Sequence, residues 1–413
     1  MSRIRMLAVV LAVFCLPLAS AQLVFQTAAD VTTAAEASET LEVSAIAAGD
    51  LDGDGDVDLV AANRNHHDIA ILLNDGEGVF TLDSNIEVGT RPVSLVVADL
   101  DDDDVLDIAV ALLGDVQVAV LIGVGDATFA DPEVYNTGDA PVHVAIGDID
   151  GQDGPDLITA NENSDTISVL YNNGDGTFAH DPNGWSVAIG ATRSEPNGTA
   201  NGDFDGDGDV DIAVALATRD QVGVLLQDAN GDFFNMATYD VSRDPTRVIA
   251  ADLDDDNDID LIVANTTFDT MSVLLNDGTG VFGDATDYDT GNNPTGMILV
   301  DMNGDGFDDV VTADREGDTV SVMLGNGDGT FEDPESFATG GAPVDVAAGD
   351  FNEDGDLDLA TANQESDLTT RDDVSVLLTG QAPVVEPCSL TGTAMLTLTL
   401  VGLLRARRAQ KRH

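Results

Sequence analysis

A nonapeptide rich in aspartate recurs along this chain at a nearly constant interval, beginning at Asp50, Asp99, Asp148, Asp203, Asp252, Asp301 and Asp350. The spacings are 49, 49, 55, 49, 49 and 49 residues, so one unit is repeated seven times with a single six-residue insertion. Pro stands seven residues before six of the seven (Pro92, Pro141, Pro196, Pro245, Pro294 and Pro343), and Val43 takes that place in the first. A period of about 20–50 residues marks supersecondary units that bury their apolar faces only against one another.

Each unit is built the same way. An apolar run enters the Asp segment, as in residues 93–98, and a second leaves it, as in Leu261-Ile262-Val263-Ala264. A third run, such as Val322-Met323-Leu324, leads to a Gly-rich turn such as Asn326-Gly327-Asp328-Gly329. A Phe then opens a fourth segment: Phe80, Phe129, Phe178, Phe233, Phe282 or Phe331. Short apolar runs, β-branched residues and Asn/Asp/Gly turns predict strands and hairpins, and helical spacing is absent from the body. Four strands per unit, seven times over, predict an all-β fold: a seven-bladed β-propeller of four-stranded antiparallel blades. The seventh unit reaches Thr379-Gly380 without a fourth segment. Phe25 precedes Asp50 by 25 residues, the interval from Phe178 to Asp203. Residues 23–40 are therefore expected to supply the outer strand of the last blade and leave no open edge. An open solenoid is the alternative.

The two ends read differently. Residues 1–21 have the layout of a signal peptide: Arg3 and Arg5, an apolar stretch, then Ala19-Ser20-Ala21. Residues 22–382 form the propeller. Residues 383–413 form a tail with Pro387-Cys388, an uncharged 16-residue run and a basic end. Sixteen residues are short of the roughly 20 that span a bilayer. The tail resembles the PEP-CTERM-like sorting signals, which implies export and processing, with Cys388 as one candidate point of cleavage or lipid attachment. Any membrane contact is expected through this tail alone.

All 77 acids fall in residues 22–387, against eight Arg, no Lys and no Cys. Asp supplies 63 of the acids and Glu 14, and the seven nonapeptides hold 34 of the Asp. Phosphate contacts need Lys and Arg, so nucleic acid is not an expected partner. No disulfide can staple this body. So many carboxylates in nine residues repel one another unless a cation sits among them.

The segment from Asp301 to Asp309 shows the donor pattern most plainly. Carboxylate or amide oxygens stand at positions 1, 3, 5 and 9, a backbone carbonyl is available at 7, and Gly306 permits the sharp turn at 6. Hard Ca2+ takes six to eight such oxygens, whereas zinc prefers His and Cys. An EF-hand needs Glu at position 12, where these units carry Ala61, Val110, Thr159, Val214, Val263, Thr312 and Thr361. Position 6 is Asp104 in the second loop and Asn257 in the fifth. The loop from Asp148 has Gln152 at position 5 and a displaced Asp153-Gly154, and is expected to be the weakest of up to seven Ca2+ sites.

These features resemble the FG-GAP/VCBS repeat family, best known from the seven-bladed, calcium-binding propellers of integrin α subunits. The resemblance covers residues 23–380. It implies metal-ligand roles for Asp50, Asp52, Asp54 and Asp58; Asp99, Asp101, Asp103 and Asp107; and Asp148, Asp150 and Asp156. The same roles extend to Asp203, Asp205, Asp207 and Asp211; Asp252, Asp254, Asp256 and Asp260; Asp301, Asn303, Asp305 and Asp309; and Asp350, Asn352, Asp354 and Asp358. The family's Gly-Ala-Pro piece is present once, at Gly341-Ala342-Pro343. It further implies extracellular recognition or adhesion, without naming the partner.

In an antiparallel meander the 1–2 and 3–4 connections share one face, and the 2–3 and 4–1 connections share the other. The Asp loops therefore leave the second face free. Trp185, Arg193, Arg219 and Arg371 fall on it and form the candidate ligand patch for an extracellular glycan or protein. The expected function is a non-enzymatic recognition module at the cell envelope. A structural surface or matrix component, or less readily a polysaccharide-acting enzyme, is the alternative.

Overall fold

The computed structural model describes residues 23–25, 29–33, 42–180, 187–189, 193–365 and 374–380. The chain divides into two compact units. One is Phe25–Thr379. Of the other, formed by Met1–Val24 with Gly380–His413, only residues 23, 24 and 380 are described; there the Gly380 N–H donates to the Val24 carbonyl at 2.6 Å. The segments read as signal peptide and sorting tail lie outside the described residues.

Residues 25–379 form seven antiparallel sheets arranged as propeller blades. The first blade is representative: strands Val43–Gly49, Asp58–Asn63, Asp68–Leu73 and Thr81–Glu87 pair in chain order. The first strands of successive blades touch in a closed cycle, the seventh (Gly341–Gly349) returning to the first (Val43–Gly49). The seam closes as the repeat predicts. Ala29–Val31 pairs with Val374–Leu377, and Phe25 bridges Thr379. Phe25 also meets Phe337 edge-on at 4.6 Å. Phe178, Phe282 and Phe331 pack likewise against Tyr135, Tyr239 and Tyr288 of the preceding blade. Phe25 thus repeats the outer aromatic contact that Phe178, Phe282 and Phe331 make between blades. Where a Phe was expected to open every fourth strand, Phe129, Phe282 and Phe331 form single bridges and the strands begin later, at Glu133, Thr286 and Glu335.

The second strands of the first six blades are buried along their whole length, as in Asp107–Leu112. The apolar core lies between neighbouring blades: Val60, Ile69 and Ile71 of the first pack with Ile108, Val110 and Leu121 of the second. Each blade buries its faces only against the next, so closing the ring completes seven such layers.

On the axis, the residue five before each Asp loop is Ala45, Ser94, His143, Gly198, Arg247, Gly296 or Asp345. Arg247 of the fifth blade reaches past the sixth to Asp345 of the seventh, Nη2 to Oδ1 at 3.2 Å. The bareness of Gly296 makes this reach possible, since a Cβ there would lie 2.5 Å from the Asp345 Cα. Asp345 Oδ2 also accepts the Ile46 N–H, at 3.2 Å. His143 Nδ1 accepts the Thr199 N–H at 3.2 Å, and burial holds its pKa well below the ordinary value, with Arg247 adding to the effect. A buried pair broken on one side leaves an uncompensated charge. Asp345→Ala is therefore expected to cost about 3–5 kcal/mol, and the apolar double variant Arg247→Met/Asp345→Leu far less. Urea unfolding of the single and double variants measures the difference.

Candidate metal centres

Every 1–2 connection folds around its own aspartates. In the first loop Asp50 Oδ2 accepts the Gly55 N–H at 3.1 Å, Asp52 Oδ1 accepts that of Asp54 at 3.1 Å, and Asp54 Oδ1 accepts that of Asp56 at 2.9 Å. Asn303 and Asn352 make the position-3 bond just as aspartate does, to the N–H of Asp305 and Asp354. Position 6 needs a left-handed backbone. Gly306 has φ 93°, and Asp104 and Asn257 adopt 65° and 70°, which side chains of their kind tolerate.

Position 9 has a different task. Asp58 Oδ2 accepts the Leu51 N–H at 3.0 Å, and Oδ1 accepts the Asn74 N–H at 2.9 Å. Asp107, Asp156, Asp211, Asp260 and Asp309 repeat both bonds. These carboxylates tie the Asp loop to the start of the 3–4 turn. Burial pushes all six up to about 6, against the pull of the two N–H donors, and raises Asp358 as well.

In five loops one oxygen from each of positions 1, 3 and 9 falls within 4.8 Å of the others: Asp50/Asp52/Asp58, Asp99/Asp101/Asp107, Asp148/Asp150/Asp156, Asp203/Asp205/Asp211 and Asp252/Asp254/Asp260. Position 5 is not part of these groups. Partial burial, then the facing carboxylates, raise the pKa of Asp52, Asp101, Asp205 and Asp254. Oδ1 of Asp101 and of Asp254 is buried with no hydrogen-bond donor. No Lys, Arg or His occurs on any 1–2 or 3–4 connection among the described residues. Oxygen-only donors, orphaned carboxylate oxygens and no internal counter-charge fit a hard divalent cation.

The loop from Asp148 departs from the rest. Gly151 and Asp153 keep the left-handed positions 4 and 6, but Gly154 at position 7 is left-handed as well, and Asp148 accepts from Gln152 at position 5 with no bond to position 6.

The 3–4 turns couple each loop to its neighbour. The side-chain amide of Asn276 donates to Phe204 O of the preceding blade and to Ile259 O of its own loop, at 2.8 and 3.0 Å. Asn172 bridges to Leu100 O, and Asn74 to Phe351 O, in the same way.

On the opposite face, sequence reasoning missed a second set of structural acids. Asp220, Asp269 and Asp318 accept the N–H of Asp244, Asn293 and Ala342, the left-handed residue before Pro of the following blade. Asp165 holds the N–H groups of Arg193, Ser194 and Glu195, and His67 Nδ1 accepts that of Arg91. The signal was a spacing of 17 residues after position 1, kept by His67, Asp165, Asp220, Asp269 and Asp318, whereas the second unit carries Val116 there. Of the candidate ligand patch, the structure brings Arg193 and Arg219 together. The Thr218 hydroxyl donates to the Arg193 carbonyl at 2.6 Å; against partial burial, the N–H groups of Arg193, Ser194 and Glu195, with the Arg219 charge adding, hold the Asp165 carboxyl below its ordinary range. Trp185 and Arg371 lie outside the described residues.

The sequence profile of the FG-GAP-like repeat matches residues 50–110, 153–214, 203–263, 252–312 and 301–361, well over half of the chain. The chain belongs to the FG-GAP-like repeat family. The family matches omit residues 111–152, where the irregular loop from Asp148 begins. No curated protein matches the chain by sequence. Among solved structures, BBS1N in complex with ARL6DN is 13% identical over 88% of this chain and 98% of its own, with a TM-score of 0.60. Streptogramin B lyase is 15% identical over 88% of this chain and 100% of its own, at 0.58. The Pseudomonas aeruginosa periplasmic gluconolactonase is 15% identical over 73% and 86%, at 0.50. At such identities the likeness is one of fold alone.

Among the described residues no helix is long and apolar enough to cross a membrane.

Proposed function

We propose that this chain is an exported, calcium-stabilised recognition module, without catalytic activity, that displays the face opposite its Asp loops to an extracellular glycan or protein. The observation that supports this reading is a separation of charge. The 1–2 and 3–4 connections carry carboxylates and no base. The seven Arg of the body among the described residues lie at the other end of the blades: Arg64, Arg219 and Arg315 in 2–3 connections, Arg91, Arg193 and Arg243 in 4–1 connections, and Arg247 early in a first strand. Calcium at the oxygen-only loops holds one face together. The other face keeps the guanidinium groups that recognise carboxylates, sulfates and peptide carbonyls. The N-terminal segment directs export, and the tail retains the module at the envelope.

The test screens the purified protein against envelope polysaccharides and proteins, with calcium and then with chelator, while following product release. Calcium-dependent binding without product supports the reading. Product release overturns it in favour of an enzyme, and silence in every condition favours a structural matrix component. Replacing Trp185 and Arg193 with Ala is expected to abolish binding of the ligand so found and leave the melting temperature unchanged. Unaltered binding removes that patch from the reading.

A further inference from the structure

On the Asp-loop face a cleft of about 550 Å3 opens between the third and fourth blades. Its walls include Asp148, Asp150 and Tyr171 of the third blade and Asp209, Gln227 and Asp228 of the fourth. Five other seams are bridged at this level. The turn of the following blade donates to the carbonyl at position 2 of the loop before it: Leu51 O, Leu100 O, Phe204 O, Leu253 O and Phe351 O each receive such a bond. No bridge to Ile149 O, the corresponding carbonyl of the third blade, forms among the described residues. The turn of the fourth blade closes on itself instead, with the Gly231 N–H donating to Asp228 O at 2.7 Å.

Gln227 accounts for the missing side-chain amide, as the inward turn of Gly231 accounts for the missing backbone donor. Gln227 occupies the place of Asn172 and Asn276, and its own N–H makes the same bond, to Asp211 Oδ1 at 2.8 Å. Its side chain is one methylene longer, and its amide makes neither of the two carbonyl bonds that the shorter Asn amides make. Gln227 is 4% exposed, yet its Nε2 has no acceptor. A buried N–H without a partner costs about 1–3 kcal/mol, so this donor asks for an acceptor from outside.

We propose that this cleft binds a positively charged peptide segment, with a backbone carbonyl accepting from Gln227 Nε2 and a Lys or Arg side chain meeting Asp209 and Asp228. The carbonyl replaces the one that neighbouring seams supply internally. The cleft walls carry Asp148, Asp150, Asp209 and Asp228 and no base, on a face without Lys or Arg, so cations are drawn in and anions repelled. Asp148 and Asp150 belong to a candidate metal group, but Asp209 stands at position 7 of its loop, where only the backbone carbonyl would be offered to an ion. Its carboxylate remains available when the loops are loaded. The volume suits a side chain with its flanking peptide groups. This site is separate from the Arg-bearing face, and its test is independent of that assignment.

The experiment titrates the full-length protein, with calcium present, with the acetylated and amidated tripeptides Gly-Lys-Gly, Gly-Arg-Gly and Gly-Gln-Gly by calorimetry. The charged peptides are expected to bind on the order of tenfold more tightly than the neutral one. Asp209→Asn should remove that preference without changing the melting temperature. Gln227→Asn should restore the amide bridge, raise the melting temperature and lose peptide binding together. Equal binding of the three peptides, undiminished binding by Gln227→Asn, or binding of neutral sugars at this cleft in place of the peptides overturns the proposal.

Discussion

Chelating calcium from the purified protein is expected to lower its melting temperature by roughly 20 °C or more, and adding calcium, but not magnesium, to restore it. At a free ion concentration a hundred times Kd, each bound ion contributes about 2.7 kcal/mol to the folded state. Five to seven such sites together rival the ~5–15 kcal/mol by which a domain is ordinarily stable. Nothing within the loops substitutes for the ion: positions 1, 3 and 9 bring their oxygens within 4.8 Å, and Asp101 and Asp254 each keep one buried oxygen without a donor. The pH dependence of the chelated protein follows from position 9. Asp58, Asp107, Asp156, Asp211, Asp260 and Asp309 titrate at about 6 in the fold, against 3.8 for an ordinary Asp. The folded state therefore binds more protons between these values. Stability without calcium should rise as the pH falls from 7 towards 4, and be lost again as it rises through 6. Bound calcium reverses the sign, because protons compete for its ligands. Calorimetric melts across this range, with and without chelator, check both slopes. A shift of under 5 °C on chelation would falsify the idea that cations hold the loops.

Asp309→Ala should destabilise the protein by about 3–6 kcal/mol even in chelator, whereas Asp305→Ala should lose stability only when calcium is present. Asp309 is fully buried and accepts the N–H of Met302 at 2.9 Å and of Gly325 at 2.8 Å. Alanine leaves two buried donors unpaired and cuts the tie between the Asp loop and the 3–4 turn. Asp305 is exposed and accepts only within its own loop, from Phe307 at 2.9 Å. Urea unfolding of the two variants, each with and without calcium, separates the roles. Equal losses in chelator would show that position 9 has no part beyond the metal.

The blade architecture was legible because the period is strict and each copy repeats the same turn chemistry. Even the seam could be read, since Phe25 keeps the interval of Phe178 and meets Phe337 much as Phe178, Phe282 and Phe331 meet their tyrosines. The loop positions were legible for a similar reason: Asp, Asn and Gly at fixed offsets are demanded by hydrogen bonds two to five residues apart, which a linear pattern records. The division of labour inside the loops was not. Position 9 looks like position 5 in the sequence. Only the fold shows that position 9 is buried and clamps a turn 16 residues away, while position 5 stays with its own loop. The acids of the opposite face were likewise read as bulk charge, because their partners lie 24 or more residues downstream.

By itself the sequence determined the all-β class, the number of blades, the closure by the N-terminal strand and the face on which the aspartates gather. Those follow from local periodicity and from the alternation of connections in a meander. Only the tertiary structure decided what happens between repeats: the Arg247–Asp345 pair across the axis, the amide bridges from turn to loop, and the seam between the third and fourth blades, where Gln227 makes no bridge. Such contacts join residues 70 to 100 or more positions apart. Whether they form depends on a single methylene or a missing Cβ, which no repeating pattern encodes.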